Sequence, residues 1–240
     1  MCEVMGIVNL TPDSFSDGGK FNRPEEALRR AENLIAEGAA IIDLGGESTR
    51  PGATPISWQE EWRRLEPVLT ELARRNHAGV RLSVDTYHPE TAARSLAAGA
   101  TIINCVRGES AAAMLELLRG TTAAELILPD STAAQVAAAG LSPRVYLDPM
   151  LGFGTTREED LAKLQALPES CRRARIVVGA SRKRIVKKLV GDKAGGKDLA
   201  GNLAIVAWAA RAGAAAVRVH DVGETVRFLR VLKILAEPMA

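Results

Sequence analysis

The stretch VMGIVN at residues 4–9 is almost entirely apolar, rich in Val and Ile, and ends in an asparagine. Seven more runs of this kind follow it, at residues 39–44, 80–85, 100–104, 125–128, 144–148, 175–179 and 215–219. Their apolar residues are nearly continuous instead of alternating, which is typical of parallel strands buried on both faces. These runs therefore predict a parallel sheet at the centre of the protein.

Segments of helical period lie between the predicted strands. Residues 24–37 place apolar side chains at three- and four-residue intervals behind Pro24, and residues 58–75 repeat the pattern. Eight strands, each followed by a helix, predict an α/β protein whose 240 residues form one (β/α)8 TIM barrel domain over residues 1–240. A doubly wound open sheet is the alternative, although no GxGxxG turn follows the first strand.

The composition excludes several classes of function. A formal net charge of +2 is too small to indicate nucleic acid as a partner. The three cysteines are scattered and form no CxxC pair, which argues against a zinc site or disulfide framework and favours a reducing compartment. No apolar run approaches the ~20 residues that cross a bilayer, and the N-terminal segment lacks the pattern of a signal peptide. A cytoplasmic protein is therefore expected.

Polar side chains stand at the ends of most predicted strands. They are Asn9, Asp43, Asp85, Asn104, Asp148, Arg218 and His220. Each by itself also suits a helix cap or a turn, but the carboxyl ends of barrel strands open onto one mouth. Carboxylates and amides suit a ring with several N–H donors, such as a pterin, while Lys183, Arg218 and His220 suit phosphate oxygens. The pattern indicates a donor-rich ring with an anionic appendage and does not identify the ring.

Two long turns flank the predicted mouth. Residues 11–19 read TPDSFSDGG, and residues 45–53 read GGESTRPGA. Both have the composition of lids that close over a substrate, and ordinary surface loops are the alternative interpretation.

Seven sequence blocks, taken in order, resemble the dihydropteroate synthase family. They are MGIVNLTPDSFSDGG at residues 5–19, DLGGESTRPG at 43–52, SVDT at 83–86, IN at 103–104, LDP and GFG within 147–154, GASRK at 179–183 and RVHD at 218–221. The resemblance extends over nearly the whole chain. It implies a transferase of folate biosynthesis that joins 6-hydroxymethyl-7,8-dihydropterin pyrophosphate to 4-aminobenzoate and releases pyrophosphate.

The resemblance also implies roles for individual residues. The pterin slot would be lined by Asp85, Asn104, Asp148 and Lys183. The pyrophosphate would be held by Asn9, Arg218 and His220, with Asn9 next to a Mg2+ cofactor. The aminobenzoate pocket would consist of Phe15, Thr49, Arg50, Pro51, Phe153 and Ser181. The catalytic residues would be Asp85, Lys183, Arg218 and His220, and a homodimer that pairs through the later helices is implied.

The chain also departs from the family pattern near the pterin slot. Cys105 stands where an Asp is usual, and we interpret it as a small buried hydrophobe instead of a reactive thiol. The stretch Leu128-Pro129-Asp130 stands where the family commonly has a Met-His pair after strand five. Thr155 replaces a Lys, Met150 replaces a Gly, and residues 108–143 form a shortened segment. Two other functions therefore stay open: a methyltransferase that uses methyltetrahydrofolate, and a non-catalytic pterin-binding paralogue.

Overall fold

Eight parallel strands close into a barrel in the order β1-β2-β3-β4-β5-β6-β7-β8. The computed structural model describes residues 2–11, 23–48, 53–190 and 198–236. The strands are β1 (Glu3–Asn9), β2 (Ile41–Gly45), β3 (Arg81–Asp85), β4 (Ile102–Asn104), β5 (Glu125–Pro129), β6 (Val145–Asp148), β7 (Arg175–Val178) and β8 (Ala216–Val219). The predicted TIM barrel is confirmed and the open sheet is wrong, because β1 pairs with both β2 and β8.

Helices surround the barrel. They are α1 (Arg23–Ala36), α2 (Trp58–Arg75), α3 (Pro89–Ala97), α4 (Ala111–Arg119), α5 (Ala133–Ala138), α6 (Arg157–Arg173), α7 (Arg184–Val190), α8 (Leu199–Ala212) and α9 (Val222–Ala236). The described residues place two helices, α7 and α8, between β7 and β8. None of these helices has the length and hydropathy required to span a membrane.

A capping box fixes the start of α6 and shows how local sequence sets a helix boundary. The Thr156 hydroxyl accepts from the Glu159 backbone N–H at 3.2 Å, and the Glu159 carboxylate accepts from the Thr156 N–H at 2.7 Å. This reciprocal pair satisfies two of the N–H groups that a helix start leaves without partners. The loop that precedes α6 therefore ends at a fixed position beside the barrel mouth.

The inside of the barrel is filled by one apolar layer. Its buried members are Met5, Ile41, Ile102, Ile127, Tyr146, Val177 and Ala216. Since side chains of a strand alternate between its two faces, the next inward-facing residue is two positions further along each strand. That step leads from Tyr146 to Asp148, from Ile102 to Asn104 and from Ala216 to Arg218. The polar mouth is thus the layer directly above the apolar one.

The opposite end of the barrel is closed by ion pairs. Arg81 pairs with Glu3 and Glu125, and Arg175 pairs with Glu125 at 2.6 Å. The Arg175 guanidinium also lies 3.8 Å from the centroid of the Tyr146 ring. Because these charges and the apolar layer obstruct the amino end, we expect ligands to enter from the carboxyl end of the strands.

Candidate active site

The structure brings the predicted polar residues together at the carboxyl end of the barrel. Four of them are the last residues of their strands: Asn9 in β1, Asp85 in β3, Asn104 in β4 and Asp148 in β6. Arg218 lies within β8, and His220 follows that strand directly. Strand closure therefore converts residues from distant parts of the chain into the rim and floor of one pocket.

Asp43 connects three other residues of the mouth and is fully buried. The Ser83 hydroxyl donates to its Oδ1 atom at 2.6 Å. Its Oδ2 atom accepts from the Asn104 side-chain amide at 3.2 Å and from Arg218 Nε at 2.6 Å. We had placed Asp43 among the polar strand ends without a role, and these contacts show that it orients both Asn104 and Arg218. No local sequence pattern predicts the hydrogen bonds from Asn104 and Arg218 to Asp43, because these residues are far apart in the chain.

Arg218 forms ion pairs with two carboxylates at once. Besides Asp43, it donates from its terminal nitrogen to Asp85 Oδ2 at 2.8 Å. Burial raises the pKa of Asp85 to about 7, the Arg218 charge opposes that shift, and the Asp43 charge adds to it. Burial lowers the pKa of Arg218, but the charges of Asp43 and Asp85 shift it upward overall. The guanidinium is therefore fixed in place and stays charged.

Asp148 and Lys183 face the same small space above Gly179. A side chain at position 179 would come within 3.7 Å of both Asp148 Oδ2 and Lys183 Nζ, so the glycine keeps this space open. Burial raises the pKa of Asp148, opposed chiefly by the Lys183 charge, and burial lowers the pKa of Lys183 to about 8. The backbone N–H of Met150 holds Asp148 Oδ1 at 2.7 Å. The Asp148 carboxylate and the Lys183 ammonium thus both face the space over Gly179.

The loop between β6 and α6 is fixed by a residue that we had not singled out in the sequence. Asp160 accepts from the Gly152 backbone N–H at 2.9 Å and from the Thr155 hydroxyl at 2.6 Å. These bonds hold the segment that carries Phe153, whose ring centroid lies 4.3 Å from Lys183 Nζ. No sequence signal marks Asp160, since it reads as one of several acidic residues in the first turn of α6.

Met150 adopts a backbone conformation that is unusual for a residue with a side chain. Its φ angle is 56°, in the left-handed region that favours glycine. This position is also one of the departures from the family pattern that we noted, where a Gly is usual. The strain lies next to Asp148, which is consistent with backbone strain gathering at functional sites.

Ser181 and His220 contact each other at the end of β7 and β8. The Ser181 hydroxyl lies 3.1 Å from His220 Nδ1 and accepts from the His220 backbone N–H at 3.3 Å. Burial, together with the charges of Arg182 and Arg218, lowers the pKa of His220 to about 4. We had grouped His220 with the cations of the mouth, whereas its low pKa makes the imidazole neutral near pH 7.

Part of the predicted aminobenzoate pocket lies outside the described residues. Phe15, Thr49, Arg50 and Pro51 belong to that part, as do residues 12–19 of the first long turn and 49–52 of the second. The structure therefore shows this pocket only through Ser181, which is buried, and Phe153, which is exposed. The prediction that the turns act as lids stays a prediction.

Cys105 has the environment of a small hydrophobe. It is buried, its thiol donates to the Arg107 carbonyl at 3.4 Å, and burial raises its pKa to about 11. Since the thiolate is the reactive form of cysteine, this environment makes a nucleophilic role unfavourable. The interpretation of Cys105 as a packing residue agrees with the structure.

Comparisons with known proteins give one consistent result. The model of a family described as "Pterin binding enzyme" matches residues 5–129 and 127–220. The dihydropteroate synthase of Neisseria meningitidis serogroup C is 37% identical, covering 97% of this chain and 92% of that protein. The dihydropteroate synthase of Escherichia coli K12 is 38% identical, covering 96% of this chain and 90% of that protein.

Solved structures agree with the sequence matches. The Xanthomonas albilineans dihydropteroate synthase with 4-aminobenzoic acid superposes with a TM-score of 0.86 at 35% identity, covering 99% of this chain and 94% of that chain. The Burkholderia cenocepacia dihydropteroate synthase complexed with 7,8-dihydropteroate gives a TM-score of 0.83 at 34% identity, covering 98% of this chain and 91% of that chain.

Proposed function

This chain belongs to the dihydropteroate synthase family of pterin-binding enzymes, and from that premise we propose how its residues carry out the reaction. Its activity is that of a transferase in folate biosynthesis, which condenses 6-hydroxymethyl-7,8-dihydropterin pyrophosphate with 4-aminobenzoate. The matches favour this reaction over the methyltransferase that we kept as an alternative. The non-catalytic alternative is tested by turnover below.

The observation that carries the proposal is that Asp148 and Lys183 both face the space over Gly179. The Asp148 carboxylate accepts the 2-amino and N3–H donors of the pterin, and the Lys183 ammonium donates to an acceptor of the ring. Asn104 and Asp85 line the neighbouring side of the slot, and their positions are fixed through Asp43 and Arg218. A flat ring fits such a site because Gly179 adds no side chain to its floor.

The transfer replaces one bond to the exocyclic methylene of the pterin by another. The carbon–oxygen bond breaks and its electron pair leaves with pyrophosphate, while the 4-aminobenzoate nitrogen forms the new carbon–nitrogen bond. The amine then releases one proton to solvent. Positive charge that develops on the methylene is stabilised by the Asp85 and Asp148 carboxylates, and negative charge on the leaving oxygens is met by Arg218. No side chain acts as a nucleophile.

Aminobenzoate recognition is proposed for the outer part of the mouth. Ser181 donates a hydrogen bond to the carboxylate of this substrate, and Phe153 contacts its ring. Phe15, Thr49, Arg50 and Pro51 complete the pocket in this proposal, on the family resemblance alone. The contact of Ser181 with His220 at 3.1 Å supports it, because the residue proposed for aminobenzoate then adjoins a residue proposed for pyrophosphate.

A Mg2+ ion is proposed next to Asn9. Among the described residues, no group of three or more His, Cys, Asp or Glu side chains is arranged to hold a metal ion. A single amide oxygen, that of Asn9, fits a Mg2+ ion bound mainly by substrate, since Mg2+ keeps several waters and takes few protein ligands together with phosphate oxygens. A Cβ atom on residue 45 would lie 3.6 Å from Asn9 Oδ1. Because residue 45 is a glycine, space remains beside the Asn9 oxygen. The ion would neutralise charge on the pyrophosphate.

Turnover tests the reaction and the metal together. We expect dihydropteroate formation with both substrates and Mg2+, and its loss in excess EDTA. His220→Ala is expected to lower the rate of pyrophosphate release about tenfold, because a hydrogen-bonding group for the leaving anion is lost. His77→Ala is the control, since His77 lies between α2 and β3 at the amino end of the barrel. Full activity in EDTA contradicts the metal proposal, and absent turnover supports the non-catalytic alternative.

A homodimer through the later helices is proposed from an exposed apolar surface. Trp208 on α8 and Val231, Ile234 and Leu235 on α9 are exposed, and α8 contacts α9. Earlier on α9, Val226 and Leu229 pack against the barrel core instead. Large exposed apolar side chains on two helices in contact favour a protein partner, and a second copy of this chain is the proposed one.

Sedimentation velocity tests this dimer. Ile234→Asp places a charge in the proposed interface and is expected to shift the protein toward monomer. Arg119→Asp on α4 is the matched surface change, and it is expected to leave the dimer unchanged. A wild-type protein that sediments as a monomer at micromolar concentration contradicts the proposal.

A further inference from the structure

A cavity of about 510 Å³ opens at the rim of the barrel, between the ends of β1 and β8 and helix α1. Asn9 and His220 line it, which are two of the three residues proposed for the pyrophosphate. Arg30 and Arg182 line it as well, and we had assigned a role to neither in the sequence. The cavity therefore extends the proposed pyrophosphate side of the mouth by two cationic residues.

The cations proposed so far are largely neutralised before an anion binds. Arg218 is paired with Asp43 at 2.6 Å and with Asp85 at 2.8 Å. Arg182 is paired with Asp221 at 2.8 Å. The pKa of His220 is lowered by burial to about 4, so this residue adds no charge near pH 7. A pyrophosphate group that carries about three negative charges would thus find little net positive charge on these residues.

Arg30 differs from the other cations in the group that its side chain contacts. Its terminal nitrogen donates to the backbone carbonyl oxygen of His220 at 2.8 Å, across 190 positions of sequence. A carbonyl is a neutral acceptor, so this bond orients the guanidinium without neutralising it. The charge is also close enough to His220 to contribute to the lowered pKa of that imidazole. Arg30 therefore brings an oriented positive charge to the cavity.

Carboxylates also line this cavity, and each of them has a partner. Asp221 accepts from Arg182, and Glu37 accepts from a backbone N–H in the first turn of α9 at 3.1 Å. Glu224 lies 3.4 Å from Arg227 on the same helix. The bond to Glu37 comes from a neutral N–H and leaves the Glu37 charge in place, so, among the described residues, the charged ones that line the cavity are two arginines and three carboxylates. Of these two arginines, Arg30 is the one whose hydrogen bond goes to a neutral carbonyl and not to a carboxylate.

From this geometry we infer that Arg30 is a further binding residue for the pyrophosphate group, which it contacts from α1 while holding the His220 backbone in place. The inference rests on the proposed function and deepens it. Arg30 meets the phosphate nearer the rim, while Arg218 meets the oxygens nearest the reacting carbon. A guanidinium suits this task because its forked donors bind two phosphate oxygens at once.

Calorimetric titration with inorganic pyrophosphate tests the inference, with and without Mg2+. Arg30→Gln is expected to weaken pyrophosphate binding about tenfold or more, and Arg30→Lys, which keeps the charge without the fork, less than that. Arg29→Gln is the matched control, because it removes the same charge from an exposed neighbour on the same helix. Binding of 6-hydroxymethylpterin, which carries no phosphate, is expected to be unchanged in all three variants.

Two results would overturn the inference. One is equal pyrophosphate affinity in Arg30→Gln and the wild type. The other is an equal loss of affinity for pyrophosphate and 6-hydroxymethylpterin, which means that the substitution disturbs the whole mouth and not a phosphate contact. The readout is binding, so it is separate from the reaction. A wild-type protein that forms no dihydropteroate contradicts the proposed reaction, whereas equal pyrophosphate affinities contradict the role of Arg30 alone.

Discussion

Replacing Arg218 by Met is expected to lower the free energy of unfolding by about 3–5 kcal/mol at pH 7 to 8, because it leaves buried carboxylates without their cation. Arg218 pairs with Asp43 and Asp85, and the Asp43 side chain has no exposed surface. Binding of a pterin is expected to be lost as well, since Asn104 shares Asp43 as its acceptor. Urea denaturation and calorimetry with 6-hydroxymethylpterin measure the two effects.

The pH dependence gives a second readout for this variant. Burial raises the pKa of Asp85 to about 7, so the stability that this group contributes is present below its unfolded pKa and is lost as the pH rises through 7. Removal of Arg218 raises that pKa further. The deficit of Arg218→Met relative to the wild type should therefore shrink as the pH is lowered from 8 to 5. Arg211→Met, at an exposed position of α8, is the control.

A decrease in the free energy of unfolding that stays below about 1 kcal/mol at pH 8 would contradict this account, because exposed ion pairs stabilise proteins by no more than that. A deficit that grows as the pH falls would contradict it too. In the first case the pairs contribute no more than surface contacts. In the second, groups other than the Asp85 carboxyl control the pH dependence of the variant's stability.

Asp148→Ala is expected to weaken the binding of 6-hydroxymethylpterin by about 100-fold or more. Two charge-assisted hydrogen bonds to the ring would be lost, each of about 1.5–3 kcal/mol, and a factor of ten in affinity corresponds to about 1.4 kcal/mol. Asp148→Asn should be nearly as damaging, since its amide can accept only one of the two ring donors. Calorimetric titration of the folded variants measures both losses.

Asp130→Asn is the matched control for the Asp148 variants. Asp130 is exposed, follows β5 directly, and its charge contributes to the raised pKa of Asp148. Removing that charge is expected to leave pterin affinity within about threefold of the wild type, because exposed charges are well screened. Unchanged pterin affinity in folded Asp148→Ala would show that the ring does not bind over Gly179.

Local sequence patterns predicted the barrel and much of its mouth. The nearly continuous apolar runs identified parallel strands, and their polar last residues included Asn9, Asp85, Asn104 and Asp148. These predictions depend on the two-residue period of a strand and on the common direction of barrel strands, which are local properties. Strand ends were displaced by a residue or two, as at β2 and β4, because hydrogen-bonding partners decide where pairing begins.

The departures from the family pattern were also visible in the sequence, but their consequences were not. Cys105 proved to be buried with its pKa raised to about 11, and Met150 proved to have a φ of 56°. Burial and backbone angles depend on what surrounds a residue. The sequence therefore shows that a residue departs from the family pattern, but not how its environment or conformation changes. The neutral state of His220 is a similar case, because it follows from desolvation and from cations of other elements.

The sequence by itself determined the strands, their direction and the residue types at the mouth, because strand period and polarity are written within a few neighbouring positions. Only the tertiary structure decided which of these residues act together. Asp43 orients Arg218 across 175 positions, and Arg30 holds the His220 carbonyl across 190. Both contacts exist because the barrel closes and brings β8 against β1, with α1 beside them. Closure is a property of all eight strands together, so no local pattern can report the neighbours that it creates.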